Sequence, residues 1–168
     1  MTSFIGLIAV VAAAMPASPA QEEDAMTGRS LRIRNAFNDL DKDSMHLLDD
    51  FYAEDVVFAD PLGEISGRAD LRAYYEAMYR NVQRIRFDFT GEVAEGDTHV
   101  MVWTMTVEAK GLNRGRPVTI EGNSVIRFGE DDKVAYHRDY FDLGAMVYEH
   151  VPVLRFFVKK VKQKLAHH

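Results

Sequence analysis

"FYAEDVVFADPLGEISGRADLRAYYEAM", residues 51–78, holds the signals that decide the fold. Residues 55–60 are a mostly apolar run of strand length that ends on an acid, Asp60. Pro61 follows at once. Its fixed φ and missing N–H stop strand pairing and open a turn. From Gly67 the period changes. Leu71, Tyr74, Tyr75, Met78, Tyr79 and Val82 recur at helical spacing over 67–82, with Asp70 as a candidate cap. Strand, turn and helix thus follow one another, with a carboxylate where the strand ends.

Upstream, "SLRIRNAFNDL" (30–40) places Leu31, Ala36, Phe37 and Leu40 at near-helical spacing behind Ser30 as N-cap. "DKDSMHLLDDFY" (41–52) restarts with Ser44 as cap and buries Met45, Leu48 and Phe51 or Tyr52. Downstream the period becomes two. "IRFDF" (85–89) alternates, "GEVAEGD" (91–97) reads as a turn, and "HVMVWTMTVEAK" (99–110) is a long strand with Met101, Trp103, Met105 and Val107 on one face. A loop over 111–117 leads to strands at 118–128 and 134–142, joined by the turn "GEDDK" (129–133). Helices followed by a meander give an α+β domain with a curved antiparallel sheet and three helices in its N-terminal half.

The 168 residues suit one domain with extensions: 1–27, a domain over 28–142, and 143–168. The first extension fits two readings. "FIGLIAVVAAA" (4–14) followed by "SPA" (18–20) reads as a signal peptide lacking its basic start, which implies a periplasmic or secreted protein. Translation from Met26 implies a cytoplasmic one. The last extension reads as one or two helices broken near Pro152. From Leu154, the residues Phe157, Val158, Val161 and Leu165 make an apolar stripe flanked by cations. Such a stripe closes the domain or a dimer, or attaches weakly to a membrane surface.

There is no cysteine, which excludes disulfides, thiolate metal sites and thiol nucleophiles. The net charge is −6, unevenly spread. Of 20 basic and 26 acidic residues, five basic and no acidic ones fall within 150–168, so the remainder carries 15 against 26, or −11. An acidic body argues against nucleic acid as a partner.

The stretch 51–78 is similar to the segment between the second and third helices of ketosteroid isomerases and SnoaL-like polyketide cyclases. "VIRFGEDDKVAYHRDYFD" (125–142) resembles their closing hairpin. Over residues 30–142 the chain thus resembles the SnoaL-like members of the nuclear-transport-factor-two-like superfamily. That resemblance implies a cone-shaped sheet around a pocket, a small apolar molecule as partner, no cofactor, and a homodimer. Because this fold also carries hydrolases and non-catalytic binders, it does not by itself name an activity.

In the isomerases the acid of the Asp-Pro pair is the general base, and Asp60 stands in its place. A carboxylate at a strand end beside an apolar cavity is suited to that work; turn capping is its structural alternative. The isomerases' two oxyanion donors are missing, their places falling at Ala36 and Ser124. A standard ketosteroid isomerase is therefore not expected. On the last strand His137, Asp139 and Phe141 share one face. Asp139 resembles the acid/base aspartate of the cyclases, and His137 is placed to shuttle a proton. A one-residue register slip would instead turn this face outward. Tyr75 matches a tyrosine of the isomerases' hydrogen-bond network. Asp60, Asp139, His137 and Tyr75 are the catalytic candidates. Tyr74, Trp103, Ser124 and Phe141 are the substrate contacts, although Tyr74, Tyr75 and Trp103 also suit a core. No spacing demands a metal. An epoxide hydrolase relay needs Arg and Asp on one strand face, whereas Arg138 and Asp139 alternate. The expected function is acid/base chemistry of isomerase or cyclase type on an apolar carbonyl compound: a polyketide, steroid or lipid. The alternative is a binding module of the same fold.

Overall fold

The computed structural model describes residues 19–150 and 152–166, so the apolar run at 4–14 lies outside the described residues. The chain folds as α1 (Pro19–Asp39), α2 (Leu47–Phe51), β1 (Tyr52–Asp60), β2 (Gly63–Ser66), α3 (Arg68–Tyr79), β3 (Val82–Glu95), β4 (Thr98–Ala109), β5 (Val118–Phe128), β6 (Val134–Phe141), α4 (Leu143–Met146) and α5 (Pro152–Ala166). The strands form one curved, unclosed sheet in the order β2-β1-β6-β5-β4-β3. This is the expected α+β cone, with helices lining its hollow side.

One pairing departs from an antiparallel sheet. β1 runs parallel to β6, with Phe58 opposite His137 and Ala59 opposite Arg138. The two strands lie at opposite ends of the domain's sequence, so no hairpin constrains their direction. Irregular register between Tyr52 and Val57 on β1, and between Phe89 and Gly91 on β3, bends the sheet around the helices. The segment 91–97, expected as a turn, continues β3 to Glu95. β2 carries no apolar alternation and is a short, mostly exposed edge strand, so it escapes a pattern-based reading.

The helices also begin elsewhere than their cap residues suggest. α1 starts at Pro19, which leaves Ser30 inside the helix, where its hydroxyl bonds the Glu92 carboxylate. The buried side of α1 is Ile33, Ala36, Phe37 and Leu40, a strict i, i+3, i+4, i+7 set, whereas Leu31 is 59% exposed. Arg34 pairs with Glu92 on β3, and Arg29 with Asp97 and Asp132, which hold the helix against the sheet. Ser44 shapes the turn before α2, accepting from Asp41 N and donating to the Asp39 carbonyl. Asp70 makes no cap to α3, whose N-cap is Gly67 at φ +89.

The inward face of β4 carries Met101, Trp103, Met105 and Val107, all buried as their alternation requires. Trp103 lies opposite Gly122 on β5. A Cβ at 122 would sit 2.3 Å from the indole Cη2 and 2.7 Å from the Tyr140 carbonyl oxygen, so only glycine admits the ring there. After β6, Asp142 caps α4 by accepting from Ala145 N, and the break expected near Pro152 separates α4 from α5. α5 does not close the cone, because Leu154, Phe157 and Val161 are exposed.

Two substitutions test this packing by urea denaturation. Gly122→Ala is expected to cost about 1–3 kcal/mol through overpacking against Trp103. Ile33→Ala is expected to cost about 2–5 kcal/mol, with Leu31→Ala near neutral; equal effects at 31 and 33 would mean that α1 is rotated.

Candidate active site

The hollow of the cone is a cavity of about 110 Å³, walled by α1, α2, α3, β1, β3, β4, β6 and α4. Most of its lining is apolar or aromatic, including Phe37, Phe58, Phe87 and Met105. Polar groups enter at a few points. Asp60, Tyr74, Tyr75, Trp103, His137, Asp139 and Phe141 all stand in the wall, so strand phase and helix spacing bring seven of the eight candidates to one place. Ser124 is the exception. It is fully buried behind the wall and does not line the cavity.

His137 organises the polar side. Only 1% exposed, it has partners on both ring nitrogens: Tyr52 Oη at 2.7 Å from Nδ1 and Asp139 Oδ1 at 2.9 Å from Nε2. The Tyr52 hydroxyl lies 3.3 Å from that of Tyr75. One assignment satisfies every link with a neutral imidazole. Tyr75 donates to Tyr52, Tyr52 donates to Nδ1, and Nε2–H donates to Asp139. Burial raises the pKa of Tyr52 and of Tyr75, and the charge of Asp139 adds to it, so both remain protonated donors.

Asp139 is held from behind. Ser124 donates its hydroxyl to Oδ1 and accepts from the Trp103 indole N–H at 2.8 Å. Ser124 and Asp139 are direct partners across β5 and β6, which places the serine to support the acid rather than touch a ligand. Both hydrogen bonds to Asp139 fall on Oδ1, leaving Oδ2 without a donor among the described residues. The side chain is 18% exposed and stands in the cavity wall.

Asp60 is arranged differently. Its Oδ1 accepts from Leu62 N at 2.7 Å and Gly63 N at 3.2 Å, and its Oδ2 accepts from the Tyr74 hydroxyl. It therefore caps the turn after β1 and lines the cavity at once. Burial, then the hydrogen bond and charge of Asp60, push the Tyr74 hydroxyl up, so it too stays protonated.

Ala36 lines the cavity without a hydroxyl, and Phe37 beside it packs its ring 5.4 Å from that of His137. The tyrosines of the wall are Tyr52, Tyr74, Tyr75 and Tyr79. Tyr52 was not legible as a site residue, because a strand start at 55 leaves it on the preceding helix. In fact β1 begins at Tyr52. No arginine is among the lining residues, and Arg138 lies over the outward Tyr140 ring, so the epoxide hydrolase relay has no counterpart in the described wall. No group among the described residues is arranged to hold a metal ion.

Comparison with known proteins agrees with this architecture. A search of the curated proteins found no match. Among solved structures, a provisionally assigned polyketide cyclase from Xanthomonas campestris pv. campestris superposes with a TM-score of 0.65 at 18% identity, covering 77% of this chain and 98% of its own. An epoxide hydrolase of the LEH-like type from M. tuberculosis gives 0.60 at 19% identity, covering 85% and 98%. A protein of ketosteroid isomerase-like fold from Catenulispora acidiphila, in complex with trimethylamine, gives 0.60 at 15% identity, covering 70% and 88%. At these identities the likeness is one of fold. The sequence itself matches the SnoaL-like domain over residues 33–137, from the buried Ile33 of α1 to the cavity histidine, and by that match the chain belongs to the SnoaL-like family.

Proposed function

We propose that this protein is a cofactor-independent acid/base catalyst of isomerase or cyclase type, acting on an apolar carbonyl compound held in the cone. The observation that carries the reading is the His137–Asp139 pair, in the wall of a cavity otherwise lined by aromatic and aliphatic groups. Two donors on Oδ1 steady the carboxylate while Oδ2 is open to take a proton from carbon next to the substrate carbonyl. The electron pair left behind moves onto the carbonyl oxygen, to which the Tyr74 hydroxyl donates once it turns away from Asp60. Protonated Asp139 then returns the proton at another carbon or at oxygen, which completes an isomerisation or lets a ring close. His137 and Tyr52 offer a path for adjusting the pair's protonation between turnovers.

Asp60 has the weaker claim to the first step. Its oxygens already hold three donors, and it must release Tyr74 before that oxygen is free. We assign it, with Tyr74, to orienting the carbonyl end of the ligand. The apolar wall favours a compound of polyketide, steroid or lipid character.

Mass spectrometry of the small molecule that co-purifies with the protein identifies the ligand. The purified protein is then incubated with it in D2O. Deuterium is expected next to the carbonyl with the wild-type chain. Asp139→Asn is expected to slow incorporation about 10²–10⁴-fold at nearly unchanged affinity. A bound but unlabelled and unaltered ligand would show a binding module instead, and normal turnover in both Asp139→Asn and Asp60→Asn would sink the enzyme reading.

Ser124→Ala tests the support of Asp139. It strands the Trp103 indole N–H and is expected to cost about 1–3 kcal/mol in urea denaturation. A lower kcat with little change in KM should accompany it.

A further inference from the structure

α5 leaves its apolar side uncovered. Leu154, Phe157 and Val161, at i, i+3 and i+7, are 43%, 60% and 58% exposed, and Val158 between them is half-buried. Lys160, Lys162 and Lys164 are exposed as well. By position on the helix, Lys162 falls on one flank of the stripe, and Lys160 and Lys164 on the other. Lys162 Nζ lies 3.7 Å from Asp142 Oδ2, so the helix folds back beside the end of β6.

Charge and geometry together choose the occupant. Residues 150–168 hold five cations and no acid on a chain whose remainder is −11, so the complementary surface is anionic. A flat anionic layer over an apolar one meets the stripe and both flanks at once, because lysine stems run along the apolar surface while their ammonium groups rise to the charged plane. We propose that α5 is a reversible docking helix for anionic lipid bilayers. It lies in the interface rather than crossing it: no helix among the described residues is long and apolar enough to span a membrane.

The position of α5 ties docking to the cavity. α4 supplies Met146 to the cavity wall and joins α5 through residues 147–151. A docked α5 holds that wall beside the bilayer. Resting on the cavity reading above, this narrows the substrate to a carbonyl compound that resides in the bilayer, such as one bearing an acyl chain.

The test is co-sedimentation of the full chain with vesicles of phosphatidylcholine, alone or mixed with phosphatidylserine. Binding is expected to the mixed vesicles, to weaken as salt rises, and to be slight on phosphatidylcholine. Each basic residue near an anionic surface adds roughly fivefold, so Lys160→Ala/Lys162→Ala/Lys164→Ala should lose about a hundredfold. Phe157→Ala/Val161→Ala should lose at least about tenfold. Both variants should keep the wild-type circular dichroism spectrum. Absence of binding, equal binding to both vesicles, or binding unchanged in either variant overturns the proposal. So does a self-association, seen by sedimentation equilibrium, that Phe157→Ala/Val161→Ala abolishes without affecting vesicle binding, which would make a second copy the occupant. None of these measurements reads turnover, so their failure leaves the assignment of Asp139 standing.

Discussion

The hydrogen bond between the Tyr52 hydroxyl and the buried ring of His137 joins parts of the chain that are far apart in sequence. Tyr52 begins β1, whereas His137 and Asp139 lie on β6, and the parallel pairing of those strands brings them together. A polar ring this deep is costly unless both nitrogens are satisfied, so the pairing register is bound up with the polar chain. Sliding β1 by one residue would turn Phe58 and Asp60 out of the cavity and Ala59 into it. The same pairing that joins β1 to β6 therefore assembles the site.

Around that junction the protein separates two kinds of surface. Aromatic and aliphatic side chains from the helices and β4 shape the hollow, and Trp103 reaches its place because Gly122 opposite has no side chain. The polar groups form a continuous run from Tyr75 through Tyr52, His137, Asp139 and Ser124 to Trp103. Nearly every member of the run spends its hydrogen-bonding capacity on another member. Among the described residues Asp139 Oδ2 has no donor, whereas both oxygens of Asp60 accept hydrogen bonds.

Ser124 shows how a site can keep its architecture while its parts change. The resemblance to ketosteroid isomerases places an oxyanion-binding acid at this position on the penultimate strand. Here the position holds a serine that never reaches the cavity, and the acid is its cross-strand partner on β6. Tyrosines stand in the cavity wall on β1 and α3, whereas Ala36 on α1 has no hydroxyl.

Local pattern sufficed for much of this protein. Alternation along β4 and β6 identified the inward sets Met101–Trp103–Met105–Val107 and His137–Asp139–Phe141, because a strand's side-chain period is fixed by its backbone. The run of Tyr74, Tyr75 and Met78 marked α3, and Asp60-Pro61 marked the end of β1, for equally local reasons. What pattern could not supply were relations between distant segments. The parallel direction of β1 against β6, the entry of Tyr52 into the polar chain, the retreat of Ser124 behind the wall and the open oxygen of Asp139 arise only when the sheet has curled. Sequence spacing encodes which side of an element a residue occupies; which two sides meet, and which lone pair is left over when they do, is decided by packing in three dimensions.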